Sequence, residues 1–333
     1  MADFRQISDY DARMISHSGS ASPHSPAFQV AALYQFSPVE DPQAWRDVLD
    51  GVAREASVRG TLLIAREGIN GTIAGPDDGI TTVLEAIRSR PGFASLDVKY
   101  SRAATPPFNR LKVRVKAEIV TLGRPDVDPV KDVGDYVEPE DWNALISDPA
   151  TLVIDTRNAY EGEIGAFTNA IQPNTDGFRD FPTWFETEGR ALISERKPAR
   201  VAMYCTGGIR CEKATALLKI EGVADVRHLH GGILRYLETV PAAESLWEGE
   251  CFVFDDRVSV GHGLVPGGLQ QCHACRRPVD AAAQAHPAYE EGVCCPACVN
   301  EYSQTDRERF RERQKQMLLA EKRGARHLGH GAL

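Results

Sequence analysis

Cys205-Thr-Gly-Gly-Ile-Arg-Cys-Glu-Lys213 lies between an apolar run, Arg200-Val-Ala-Met-Tyr204, and a stretch with amphipathic helical spacing, Ala214-Thr-Ala-Leu-Leu-Lys219. That order reads as buried strand, tight glycine loop, helix. A cysteine at the strand end shares the loop with an arginine five residues on. Both would sit in a cradle of backbone N–H groups at a helix N-terminus, which stabilises anions and lowers a thiol's pKa. Cys205 is therefore the candidate nucleophile. Thr206, Gly207, Gly208 and Ile209 form the cradle, with N–H groups expected from Gly207, Gly208 and Ile209, and Arg210 holds the loop and favours the anion. Cys211 either resolves an oxidised or persulfidated Cys205 or packs beneath the loop as a helix-start residue. Phosphatases that form a phosphocysteine place five residues between cysteine and arginine. Here there are four, which suits a terminal sulfur better than a tetrahedral phosphate.

Outward from the loop the pattern is α/β. Asp141–Ser147 is helical, Thr151-Leu-Val-Ile-Asp-Thr156 is a buried strand, and Val226-Arg-His-Leu229 is another. Strands alternating with helices imply a parallel sheet, whose ligands gather at strand C-terminal ends, where Cys205 falls. This unit is expected over 141–243, after a proline-rich acidic linker over 121–140. Upstream, a strand at Phe28–Phe36, a helix from Asp41 to Ser57, strands at Gly60–Arg66 and Gly71–Gly75, a helix over Gly79–Arg88 and a strand over Leu111–Val120 give βαββαβ. That is the order of a small ferredoxin-like α+β domain over 28–120. Residues 1–27, with Ser16-His-Ser-Gly-Ser-Ala-Ser-Pro-His-Ser-Pro26, read as a mobile leader. Lys112, Arg114 and Lys116 alternate with Leu111, Val113 and Val115. With Arg102 and Arg110 nearby, this polar face either meets a phosphate backbone or is the solvent side of the sheet.

Downstream, 244–304 is cysteine-rich and 305–333 is a basic helix and tail. Cys272-His-Ala-Cys275 and Cys295-Pro-Ala-Cys298 are C-x2-C pairs with 19 residues between them, spacing that suits a four-thiolate structural zinc site. Cys294, His273 and His286 are substitute ligands, and reduced cysteines in a loop-rich module are the other reading. The 333 residues carry −9 overall: the tail from Thr305 is +4 on a body of −13. An acidic body gives no general case for nucleic-acid binding, but Arg307, Arg309, Arg311, Arg313 and Lys315 form a local basic arm that would meet RNA or simply be solvated. No apolar stretch approaches the ~20 residues of a membrane span, and the N-terminus lacks a signal-peptide pattern. Eight cysteines without an export signal point to a reducing compartment, the cytoplasm. No flavin or nicotinamide site is evident.

Val153-Ile-Asp-Thr-Arg157, Tyr160-Glu161, Ile164-Gly-Ala-Phe167, the Cys205 loop and His230-Gly-Gly-Ile233 together resemble a rhodanese domain. The resemblance implies a persulfide on Cys205 and a structural role for Asp155 and Arg157. Arg66-Glu-Gly-Ile-Asn-Gly-Thr-Ile-Ala-Gly75, the Cys205 loop and Cys251-Phe-Val-Phe-Asp-Asp-Arg257, in that order, resemble the bacterial rhodanese-containing tRNA uridine hydroxylases over about residues 28–300. That likeness implies hydroxylation of carbon 5 of a wobble uridine, with molecular oxygen as co-substrate and the tRNA anticodon loop as partner. Tyr100, Phe108 and Phe178 are candidate stacking residues or core. A sulfurtransferase passing sulfane sulfur through Cys205 uses the same loop but leaves both flanking regions unexplained. A redox or binding module built on Cys205, Cys211 and the zinc ribbon is a third reading.

Overall fold

Five strands and two helices build the first domain of the computed structural model, which describes residues 28–323. The leader expected over 1–27 and the last ten residues of the tail lie outside the described residues. Strand β1 (Phe28–Phe36), helix α1 (Pro42–Glu55), β2 (Arg59–Ala65), β3 (Gly68–Gly75), α2 (Asp77–Arg88) and β4 (Asp97–Ala103) follow in βαββαβ order. The sheet runs β4-β1-β3-β2, antiparallel, and β5 (Leu111–Val115) adds parallel to β2. The ferredoxin-like order holds, but its last strand is β4, not Leu111–Val120. β4 showed no apolar alternation because its buried positions are Lys99, paired with Asp97 at 2.8 Å, and the small Ala103. The connection between the strands expected at Gly60–Arg66 and Gly71–Gly75 is tighter than those bounds imply: Ala65 pairs with Gly68, so only Arg66 and Glu67 form the turn.

Both helices cover one sheet face. Trp45 and Leu49 of α1 and Ile80, Val83, Leu84 and Ile87 of α2 pack on Leu62, Ile64, Ile69 and Ile73. Such one-sided burial is the usual state of an antiparallel sheet, whose second face is free for other work.

The second domain is a four-stranded parallel sheet in the order β6-β10-β9-β7. Its strands are β6 (Asp135–Val137), β7 (Thr151–Asp155), β9 (Arg200–Tyr204) and β10 (Val226–Leu229), with β8 (Gly165–Phe167) outside the sheet. Helices α3 (Pro139–Ser147), α4 (Ile209–Ile220) and α5 (Gly232–Thr239) flank it. The segment 121–140 is thus more than a linker, since it supplies the edge strand β6 and the start of α3. Residues 244–264 likewise differ from the expected cysteine-rich region. There β11 (Trp247–Gly249) pairs with β8, β12 (Cys251–Phe252) pairs with β13 (Ser259–Val260), and Cys251, Val253, Val260 and Leu264 join the core around Trp142, Phe167 and Tyr204. The separate cysteine module begins with β14 (Gln270–Gln271) and β15 (Pro278–Val279), and helix α6 (Gln304–Lys322) follows.

The amphipathic spacing of α4 misleads. Every residue from Ile209 to Leu218 is buried, including Arg210, Glu212 and Lys213. The first domain covers the polar side. Lys213 reaches across to Glu118 (2.6 Å), Glu67 (2.9 Å) and the Val120 carbonyl (3.0 Å). Glu67 also accepts the Ile119 N–H at 2.6 Å, and Tyr34 of β1 donates to Glu212 at 2.9 Å. Removing one member of a buried ion pair strands its partners' charge. Lys213→Met is expected to cost about 3 kcal/mol by that mechanism. The checks are urea denaturation and faster limited proteolysis within 121–134. An unchanged midpoint would show that the clamp does not hold the domains.

Candidate active site between the domains

The loop after β9 folds as the glycine spacing demands. Gly208 has φ +102, and a Cβ there would meet the Tyr34 hydroxyl oxygen at 2.7 Å. Gly232, at φ +67, lies against the loop from behind; a Cβ there would sit 2.5 Å from the Cys205 carbonyl oxygen and 2.7 Å from the Gly208 nitrogen. Only glycine combines that backbone conformation with such close approach. The turn then donates Ile233 N–H to the Cys205 carbonyl and Leu234 N–H to that of Thr206, each at 3.0 Å. Asp155 and Arg157 form a fully buried bidentate pair, and Arg157 also ties down the carbonyls of Glu161 and Gly165. Their place is structural, as expected.

Cys205 is 1% exposed, and Gly208 N–H donates to its sulfur at 3.1 Å. Burial works against the thiolate. The Cys211 thiol, the Arg210 charge and the Cys211 and Gly208 N–H groups outweigh it, bringing the Cys205 pKa down to about 6. Cys211 shifts the other way: burial and the adjacent Cys205 sulfur push it well above the ordinary thiol range. The pair thus divides into an anion and a neutral donor. Of the three N–H groups expected to cradle the sulfur, Gly208 bonds it, whereas Gly207 and Ile209 line the cavity in front. Arg210 is held by Glu161 at 2.9 Å, which also accepts the Thr206 hydroxyl at 3.3 Å. The second terminal nitrogen of Arg210, Nη1, is buried with no hydrogen bond to the protein.

That loop forms one wall of a cavity of about 480 Å³, within the range of small-molecule sites. The opposite wall is the uncovered face of the first sheet, with Ala32, Tyr34, Leu63, Asn70, Thr72, Lys99 and Ser101. Phe108, Phe254, Arg257 and Leu264 close it from the sides. Lys99, Lys116, Arg210 and Arg257 bring positive charge, against Glu118 and Asp255. Glu212, beneath Tyr34, has its carboxyl pKa raised by burial, partly offset by hydrogen bonds from Tyr34 and Tyr136.

Sequence reasoning named Cys205, Arg210 and Cys211 but gave no role to Glu161, Glu212, Lys213, Phe254 or Arg257, all of them inside the quoted motifs. Tyr34 and Lys99 carry no local signal. Among the candidate stacking residues Phe108 lines the cavity, Tyr100 does not, and Phe178 is core, stacked on Phe181. Phe254, unnamed among those candidates, is 57% exposed, lines the cavity and lies 5.8 Å from the Arg210 guanidinium.

Cys272, Cys275, Cys295 and Cys298 converge, with every pair of sulfurs within 4.8 Å and adjacent ones 3.6–3.8 Å apart. Thiolates about 2.3 Å from a tetrahedral ion stand about 3.8 Å from each other. This cluster could therefore hold a metal ion. The Cys294 thiol donates instead to the Ala288 carbonyl, and His286 accepts the Ala288 N–H. Two residues of the basic arm are spent on this module: Arg311 binds Glu290 through two 2.6 Å contacts and Arg313 donates to the carbonyls of His273 and Gly292. Arg102 is likewise committed, through a bidentate pair with Asp77. Among the described residues no helix is long and apolar enough to cross a membrane.

Residues 28–119 match the family described as UPF0176 acylphosphatase like domain, and 138–239 match the rhodanese-like domain. The chain is 57% identical to the tRNA uridine(34) hydroxylase of Agrobacterium fabrum (strain C58) over 91% of this chain and 95% of that one. It belongs to the tRNA uridine(34) hydroxylase family. Within that family, the Gluconobacter oxydans protein is 55% identical, covering 90% of this chain and 96% of its own. The Caulobacter vibrioides protein is 56% identical over 91% and 97%.

Because the Cys205 pKa lies below the ordinary thiol value, its thiolate dominates above about 6 and is lost as pH falls through that point. Peptide-resolved alkylation of Cys205 by iodoacetamide should reach half its maximal rate near pH 6, with Cys211 unlabelled. Arg210→Gln should move that midpoint upward. A midpoint near the ordinary thiol value in the unmutated protein would contradict the anion cradle.

Proposed function

We propose that this protein hydroxylates carbon 5 of the wobble uridine of tRNA, with Cys205 as the nucleophile and molecular oxygen as co-substrate. The observation that carries the reading is an activated thiol facing a cavity of nucleotide size, roofed by the sheet of the first domain. A sulfurtransferase needs the thiol but not the roof. The names of the relatives point the same way. The substrate places the reaction in the cytoplasm.

A uridine must leave its stack to reach a thiol at the back of such a cavity, and an anticodon loop allows this at low cost. The Cys205 thiolate adds to carbon 6 of the uracil, which places the electron pair on carbon 5 as an enolate. That carbon bonds to oxygen, and protonation gives a carbon 5 hydroperoxide. Two equivalents of a small thiol reduce it: the O–O bond breaks, carbon 5 keeps a hydroxyl, one water leaves and a disulfide forms. Loss of the carbon 5 proton with departure of Cys205 restores the double bond. Uridine, oxygen and two thiols become 5-hydroxyuridine, water and one disulfide. The unpartnered Arg210 Nη1 and the loop N–H groups stabilise anionic charge along this path. A persulfide on Cys205 would do the same addition one atom further into the cavity. Cys211, neutral and hydrogen-bonded to Cys205, steadies the thiolate between turnovers and is the thiol placed to resolve it if it oxidises.

Nucleoside mass spectrometry tests this reading. Cells lacking the protein should lose 5-hydroxyuridine and its derivatives from tRNA, with restoration by the wild-type chain but not by Cys205→Ser. Undiminished 5-hydroxyuridine with Cys205→Ser would overturn it. High thiocyanate formation from thiosulfate and cyanide, with tRNA unchanged, would favour the sulfurtransferase.

We also assign zinc to Cys272, Cys275, Cys295 and Cys298. The sulfur spacing supports the assignment, and four thiolates leave no open position, so the ion's role is structural. Mercurial titration of the purified protein should release about one zinc per chain. Cys298→Ser should lower that yield. Freely titrating thiols with no zinc released would refute it.

A further inference from the structure

Next to the cavity runs a second concavity that the proposed chemistry leaves unused. The two share Thr61, Phe108, Phe254 and Asp255, so they are continuous. Its walls come from distant parts of the chain: Arg110 and Lys112 at the start of β5, Phe252 beyond the rhodanese sheet, and Arg276 and Arg277 in the cysteine module. Lys112 stands opposite Thr61 in the sheet register, and Thr61 lines both concavities.

Cations outnumber acids there, four against two. Among the described residues Arg110, Lys112 and Arg276 form no ion pair, and the Arg276 guanidinium is steadied only by the Gln271 side chain at 3.1 Å. Arg277 is bound to Glu301, and the acids facing the groove are Asp255, already held by Arg257, and Asp256. Crowding is large enough that burial, Arg110, Arg114 and Arg276 together lower the Lys112 pKa. Cations held this close without carboxylate partners are costly for a folded chain and favourable once a polyanion lies among them. Arg276 is also fixed in place. Its backbone is left-handed at φ +70, and its N–H donates to the Cys272 carbonyl at 2.8 Å, so the knuckle that gathers the thiolates also sets where Arg276 stands.

We infer that this groove binds the sugar–phosphate backbone of the nucleotides flanking the target uridine, with Arg110, Lys112 and Arg276 on the phosphates and Phe254 stacking at the junction with the cavity. The inference rests on the tRNA reading and assigns the cysteine module a part in the substrate site. Arg311 and Arg313 of helix α6, bound to that module, contribute through it. Phosphate contacts carry no sequence information, so they position the RNA while the cavity selects the base.

The test uses the full zinc-loaded chain and a fluorescein-labelled anticodon stem-loop RNA, carrying either uridine or cytidine at the first anticodon position. Binding is measured by anisotropy across a salt series. Lys112→Gln with Arg276→Gln should weaken both RNAs about tenfold and flatten the salt slope by about two, one per lost phosphate contact. Arg196→Gln, an exposed residue away from the groove, should change neither, and unaltered tryptophan emission confirms that the double variant is folded. If the double variant binds with the wild-type slope while the wild type hydroxylates uridine, the groove assignment falls and the reaction stands. If the slope drops as expected but no 5-hydroxyuridine forms with oxygen and thiol present, the reaction falls and the groove stands. If the wild type shows no salt-dependent RNA affinity, the groove has another occupant and the inference is wrong.

Discussion

One ammonium group holds this architecture together. The Lys213 Nζ is almost wholly withdrawn from water and is satisfied by two carboxylates and a carbonyl from the other domain. A buried cation has no tolerable state alone, so Lys213 obliges Glu67, Glu118 and the chain at Val120 to remain against α4. Glu118 is itself tethered by the N–H groups of Leu122 and Gly123, and Glu67 by that of Ile119. The segment leaving the first domain is therefore stitched to the helix carrying the reactive loop. Remove that constraint and the cavity loses its far wall.

The site is consequently a property of the docking and of neither domain alone. The rhodanese-like loop supplies an anion, and Gly232 props it from behind. The first sheet supplies the facing surface, and Tyr34 reaches over Gly208 to Glu212. The helices of the first domain take one sheet face and leave the other for this purpose, so the βαββαβ unit serves as a lid of fixed position. Packing around Ile209, Ala65 and Ile119 adds an apolar seam to the polar contacts.

What the sequence disclosed was whatever is encoded locally. Strand, loop and helix around Cys205 follow from apolar runs and glycine placement, and the four zinc-type thiols from two short spacings. What it hid was encoded across distance. Lys99 made β4 unreadable because a buried lysine breaks the alternation that marks a strand. Lys219 and Lys213 gave α4 an apparent solvent face, although the latter points into a domain whose carboxylates lie far away in sequence. Arg311 and Arg313 looked like an RNA arm because their partners, Glu290 and two backbone carbonyls, are not adjacent in the chain. Phe254 and Arg257 stood inside a recognised segment, yet only the closure of the cavity gives them a use.

The cavity walls span nearly the whole order of synthesis, from Ala32 in the first strand to Leu264 after the rhodanese sheet. A growing chain on the ribosome has its Cys205 loop long before the last wall emerges. Until then the loop faces the first sheet without the side walls of Phe254, Arg257 and Leu264. Any truncation before Phe254 therefore leaves the loop and the facing sheet without the side walls that close the cavity.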